Sequence, residues 1–237
     1  MRNIFRFFLY SLVALVVFAC EQTSEEIDCD DILEITYSAS SLNNFEKNKF
    51  KDLLKSRYPE FDVMFEEAAK ETKLEKNLLA AISFQESQWD PKAMSNMGVR
   101  GMMMVTLETA ALVGVEKRLD PEQNIKGGAK YFAILKEKNM IGPTEADRLA
   151  ITLASYNLGP TNMINIASQI NEDISLVTWI EIQNKLKTMK GSELNLTDKG
   201  SYSRAQQALD YVDRVKDYYR LLSAHSCIAP KDQLSFF

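Results

Sequence analysis

Apolar residues recur along this chain at intervals of three and four, the spacing that gathers them on one side of a helix. Phe45, Phe50, Leu53 and Leu54, set among lysines, predict a helix over about 45–58. Pro59 suits the first turn of a second helix that runs on through Phe61, Met64, Phe65 and Ala68. A third, roughly Glu75 to Gln88, is expected to stop because of Pro91. Thr106 is placed to cap a short helix ending before Gly114, and Asp120-Pro121 to open one reaching about Lys138. Pro143 and Thr144 start another, through Leu149, Ile151, Leu153 and Tyr156, with Gly159 as its stop. Further helices are expected at 161–170, 175–189 and 203–223. No stretch alternates as a strand and no repeat is visible. The pattern predicts an all-α domain of seven to nine helices over 45–225, followed by a tail at 226–237.

The two ends of the hydropathy pattern read differently. Arg2 and Arg6 precede an apolar run from Phe7 to Ala19, too short for a comfortable transmembrane helix and suited to an export signal over 1–19. Val17-Phe18-Ala19-Cys20 is similar to a bacterial lipoprotein cleavage site, which makes Cys20 the expected lipidated residue; the alternative is a plain signal peptide cut nearby. Residues 20–44 are polar and acidic (Glu25, Glu26, Asp28, Asp30, Asp31) and are expected to be a tether. An exported compartment permits a disulfide between Cys29 and Cys227, though two free thiols fit the sequence nearly as well.

Composition narrows the function. The 237 residues hold only 9 glycines and 6 prolines, which favours helices over turn-rich sheets. The formal charge is −5 with no long basic run, so no nucleic acid partner is expected. The one histidine, His225, leaves no histidine-based zinc motif and argues against a histidine-activated nucleophile. No metal or cofactor is expected, and chemistry must rest on carboxylates, amides and hydroxyls.

Glu86 is the first candidate. Leu79, Ile82 and Glu86 share one side of their helix, with Leu78, Gln85 and Trp89 beside them. A carboxyl at the margin of a buried face has its charged form disfavoured, which raises its pKa toward the range useful to a general acid. Taken singly, Glu86 also fits an edge glutamate paired with a lysine, and Met102-Met103-Met104 fits core filler.

In order, Gln85-Glu86-Ser87, Gly98-Val99-Arg100-Gly101-Met102-Met103-Met104, Ser155-Tyr156-Asn157-Leu158-Gly159 and Tyr211 resemble the motifs of the lytic transglycosylases of the soluble-lytic-transglycosylase type. The likeness covers about 58–222 and extends to Gly127-Gly128 before Tyr131, as in the catalytic domain of the membrane-bound F type. It implies a goose-type lysozyme-like fold with a sugar groove. Its activity would be cleavage of the β-1,4 bond between N-acetylmuramic acid and N-acetylglucosamine, leaving 1,6-anhydromuramoyl ends. By the same resemblance Glu86 is the single acid and base, Gln85 binds substrate, and Ser87 orients the substrate or the glutamate. Met102 and Met103 wall a sugar ring, and Met104 stands where the family usually has a glutamine. Tyr156 and Asn157 bond near Glu86 and the acetamido group, and Tyr211 closes the site.

The partner expected is therefore the peptidoglycan glycan strand, met by a monomer anchored through Cys20 in a membrane facing the periplasm, the outer membrane foremost. F-type enzymes carry a solute-binding-like domain ahead of the catalytic one, and regulation through such a domain is not expected here. A muramidase of the same fold and a non-catalytic glycan-binding lipoprotein remain the alternatives. An ordinary glycosidase would need a second carboxylate, for which Asp90, Glu108 and Asp147 are available.

Overall fold

The computed structural model describes residues 28–189 and 204–227. Ten α-helices lie among them: α1 Cys29–Ala39, α2 Asn44–Ser56, α3 Asp62–Thr72, α4 Lys76–Ser87, α5 Leu107–Val113, α6 Pro121–Lys138, α7 Glu145–Leu158, α8 Pro160–Ser168, α9 Trp179–Thr188 and α10 Arg204–His225. Single 3-10 turns occur at Tyr58–Glu60 and Ile174–Leu176. The described residues contain no strand, only two isolated bridges that pair Arg100 with Met94 and with Val105. The protein is all-α.

Helix α4 occupies the centre. Every residue from Leu78 to Phe84 is buried, so this helix is enclosed on all sides rather than on one stripe. The long helix α10 packs along α4 and also against α7, α1 and α9, while α3 bridges α4 to α6. Helix α7 lies between α6 and α8, and its segment Leu149–Ser155 is buried throughout.

Local chemistry sets the helix starts. Thr106, Asp120 and Thr144 each accept a hydrogen bond from the backbone N–H three residues on, satisfying a donor the first turn leaves open. Asn43 with Glu46, and Thr178 with Glu181, form reciprocal capping boxes. The second expected helix divides: Pro59 sits in the 3-10 turn, and α3 begins only at Asp62.

Helix α4 ends differently from expectation. Gln88 (φ 56°) and Trp89 (φ 57°) are both left-handed, so the chain leaves the helix before Pro91 exerts any effect. Two consecutive left-handed residues cost about 1–2 kcal/mol each. Burial of Trp89 offsets this: its ring lies 4.7 Å from that of Phe84 and 4.8 Å from that of Tyr58, and its Nε1 donates to the Ala80 carbonyl at 2.9 Å.

The expected tether is also corrected in part. Residues 29–39 form α1, which buries Ile32 and Thr36 against α10. Cys29, Ile32 and Thr36 repeat at three and four and so share a face, a signal masked by the acidic residues around them. Asp30 and Asp31 in the first turn complement the helix dipole. A disulfide joins Cys29 to Cys227, and the buried Asp217 accepts from the Ser41 N–H (3.0 Å) and hydroxyl (2.5 Å). The apolar leader, Cys20 and most of the tail lie outside the described residues.

Candidate active site

Glu86 stands in the last turn of α4, partly exposed, with Tyr211 of α10 and Tyr156 of α7 beside it. Burial raises its pKa to about 7, against a smaller lowering by the Tyr211 hydroxyl. That hydroxyl is itself buried and, apart from its approach to Glu86, has no hydrogen-bond partner. Burial, and next the charge on Glu86, push both tyrosine hydroxyls well above their ordinary pKa. They therefore stay protonated and act as donors. The Tyr156 hydroxyl donates to the Met103 carbonyl at 2.8 Å, and its ring lies 5.6 Å from that of Tyr131.

The glycine-rich loop is held to α4 and α6 by hydrogen bonds. Ser83 (3.0 Å) and Ser87 (2.7 Å) both donate to the Met102 carbonyl. Ser87 Oγ also accepts from the Asp90 N–H at 3.2 Å. The hydroxyl is thus engaged in fixing the loop. Asn124 of α6, fully buried, accepts from the Met103 N–H (2.7 Å) and donates to the carbonyls of Arg100 (2.9 Å) and Arg118 (2.7 Å). Gly101 (φ 82°) passes so close to Asn124 and Arg118 that any Cβ would overlap them.

The methionines also differ from expectation. Met102 and Met103 are wholly buried, so neither can wall a sugar ring. They belong to the hydrophobic core, and Met103 fills the space left by the missing side chain of Gly128 on α6. Met104, left-handed at φ 47°, is the one of the three that reaches solvent. Gln85 lines a cavity of about 310 Å³ together with Gln88, Arg214 and Tyr218. Asn157 follows Tyr156; its carbonyl accepts from Arg204 at 3.3 Å, and its buried Oδ1 has no partner.

The other carboxylates are occupied elsewhere. Asp147 accepts from the Trp179 N–H (2.8 Å) and the Thr144 hydroxyl (2.5 Å), tying α9 to α7. Asp90 accepts from the Lys92 N–H, and Glu108 is exposed in the first turn of α5. None of them acts on Glu86. Among the described residues, no three histidine, cysteine or acidic side chains are grouped to hold a metal ion.

Asn124 was not singled out by the sequence pattern, although a signal existed. It lies in i, i+4, i+8 register with Gly128 and Phe132, a polar residue on the buried face of α6.

Residues 63–175, which include Glu86, the glycine loop and Tyr156-Asn157, match the family described as Transglycosylase SLT domain. The chain carries a transglycosylase SLT domain. It is 40% identical over 169 residues to membrane-bound lytic murein transglycosylase F 1 of Alkalilimnicola ehrlichii, covering 70% of this chain and 34% of that relative. It is 35% identical over 175 residues to membrane-bound lytic murein transglycosylase F of Pseudomonas syringae pv. syringae, covering 73% and 35%. The chain thus spans about a third of the length of these curated relatives. Among solved structures, the 70 kDa soluble lytic transglycosylase of Escherichia coli aligns at 18% identity with a TM-score of 0.48, over 72% of this chain and 25% of that one. The SLT match stops short of Tyr211, so the wall that α10 presents to Glu86 lies outside the matched stretch.

Proposed function

We propose that this protein is a peptidoglycan lytic transglycosylase in which Glu86 alone serves as acid and base. The observation that carries this reading is a partly exposed carboxyl with a pKa of about 7, flanked by tyrosine hydroxyls and acted on by no second carboxylate. A group that titrates there is protonated in about half the molecules at neutrality and can work in both directions.

Protonated Glu86 gives its proton to the bridging oxygen as the bond to muramoyl C1 breaks. The substrate's acetamido carbonyl oxygen bonds to C1 and holds the positive charge in place of an enzyme carboxylate. Glu86, now ionised, takes the proton of the C6 hydroxyl; that oxygen attacks C1 and releases the acetamido group. The product is a 1,6-anhydro ring, and Glu86 ends protonated as it began. Tyr211 would donate to Glu86 in its ionised state, and the unpaired Oδ1 of Asn157 is an acceptor suited to an acetamido N–H. The names of the F-type relatives agree with this substrate. The lysozyme-like fold follows from the same family reading, and export with lipidation at Cys20 completes it.

Digestion of purified sacculi tests the proposal. Glu86→Gln is nearly isosteric and should cut the release of anhydromuropeptides by at least about a hundredfold, the lower range for losing a general acid. Release at the parental rate, or products heavier by one water, would overturn the transglycosylase assignment.

A further inference from the structure

Lys47, Lys51 and Lys55 follow one another at four-residue steps along α2, one turn apart on one face. They line a cleft of about 610 Å³ between α1 and α2, at which Tyr37 of α1 and His225 of α10 also stand. The cleft lies outside the SLT match, and none of its residues acts on Glu86.

Lys70, Lys76, Lys126 and Lys130, outside the cleft, sit in ion pairs with carboxylates. Among the described residues, the three cleft lysines have none. Lys51 lies 4.1 Å from the centroid of the Tyr37 ring, and the Tyr37 hydroxyl hydrogen-bonds His225 Nε2 at 2.9 Å. Burial first, and then the charges of Lys51 and Lys55, hold His225 below its ordinary pKa, an independent sign of positive potential there. Among the described residues, Glu34 is the one acid lining the cleft, against three lysines.

Shape and charge spacing identify the ligand class. From Lys47 to Lys55 the charges spread over about 12 Å of helix axis. An ammonium is a point charge without the planar fork that grips one carboxylate or phosphate in two places. The arrangement therefore suits an extended molecule with anionic groups at intervals. A bilayer is flat and meets ridges, whereas this surface is concave and admits a chain. Asn44 and Asn48, one turn apart at the same cleft, offer amides to a peptide backbone.

We propose that the α1–α2 cleft is a second ligand site, separate from Glu86, that binds an extended acidic peptide through Lys47, Lys51 and Lys55. In a murein enzyme that peptide is the stem carried by the muramoyl residues, so the cleft holds the strand while the groove cuts it. The site rests on the murein reading only for the identity of the peptide.

Calorimetric titration of the full chain with N-acetyl-L-alanyl-γ-D-glutamyl-diaminopimelate tests it, since binding is then read without turnover. Saturable binding is expected, lost when the peptide's carboxylates are all amidated and weakened as salt rises. Exposed ion pairs are worth roughly 1.4- to 5-fold each, so joint replacement K47Q, K51Q and K55Q should weaken binding by about tenfold, while arginine at all three positions retains it. Lys55→Gln alone, on the exposed end of the row, should cost about twofold and serves if the triple replacement disturbs the helix. Undiminished binding in these glutamine variants, equal binding of the amidated peptide, or no binding would overturn the proposal. So would lysine-dependent binding to phosphatidylglycerol vesicles without peptide binding. Glu86→Gln should leave the titration unchanged, so a failure of the cleft and a failure of the Glu86 mechanism appear in different measurements.

Discussion

Glu86 is raised from 4.5 to about 7 because the fold surrounds it with carbon, and that displacement has a stability cost with a defined sign. Between those two values the folded protein binds more protons than the unfolded chain, so this contribution is fully present below about 4.5 and is lost as pH rises through about 7. The loss amounts to at most about 3 kcal/mol. Glu86→Gln should accordingly raise the melting temperature relative to the parent at pH 8 and by clearly less at pH 5. Tyr211 acts in the opposite sense, pulling Glu86 down. Tyr211→Phe should move the alkaline limb of the pH–rate profile upward, because Glu86 then holds its proton to higher pH; an unmoved limb would remove Tyr211 from the site.

At the scale of elements, the end of α4 that carries Glu86 is fixed by contacts that come from three directions. Trp89 anchors the left-handed exit, the hydroxyls of Ser83 and Ser87 hold the loop carbonyl, and Asn124 holds the loop from α6. Asn124→Ala would strand a buried N–H and two carbonyls, and should lower unfolding free energy by about 2–4 kcal/mol in a denaturant titration. Asn124→Asp should not rescue it, since the lost groups include donors. These contacts explain which parts of the site could be read along the chain. The caps at Thr106, Asp120 and Thr144 were legible because each is decided within four residues. Glu86 and its tyrosines were legible as motifs, and the apolar turn before Glu86 correctly foretold its raised pKa. The fates of Ser87, Met102 and Met103 were not, because they depend on Gly128 and Asn124, brought to the loop by the packing of α6. Helix α1 was hidden because it buries only Ile32 and Thr36, and its acidic surface resembles a linker.

For the whole molecule, α1 is the element that ties the start of the described chain to its end. The Cys29–Cys227 bond closes a loop with a sequence separation of 198, and removing it should cost about 2–5 kcal/mol. Reduction and alkylation before mass measurement checks the bond, and thermal melting of the Cys29→Ser, Cys227→Ser variant checks the magnitude. The same variant should lose affinity for the acidic peptide, because α1 supplies one wall of the lysine cleft. At the other end of the leader, Cys20→Ala should shift the protein from the membrane to the soluble fraction on centrifugation; unchanged partition would refute lipid anchoring there.

The long reach of that disulfide also imposes an order in time. Cys29 leaves the ribosome and crosses into any oxidising compartment nearly two hundred residues before its partner, so it must wait as a thiol while helices α2 to α10 emerge. Glu86 shares that delay, because Tyr211 beside it stands on α10, the helix that directly precedes Cys227. The lysine cleft takes His225 from that same helix, so the surroundings of Glu86 and the far cleft are completed together, by the last described helix.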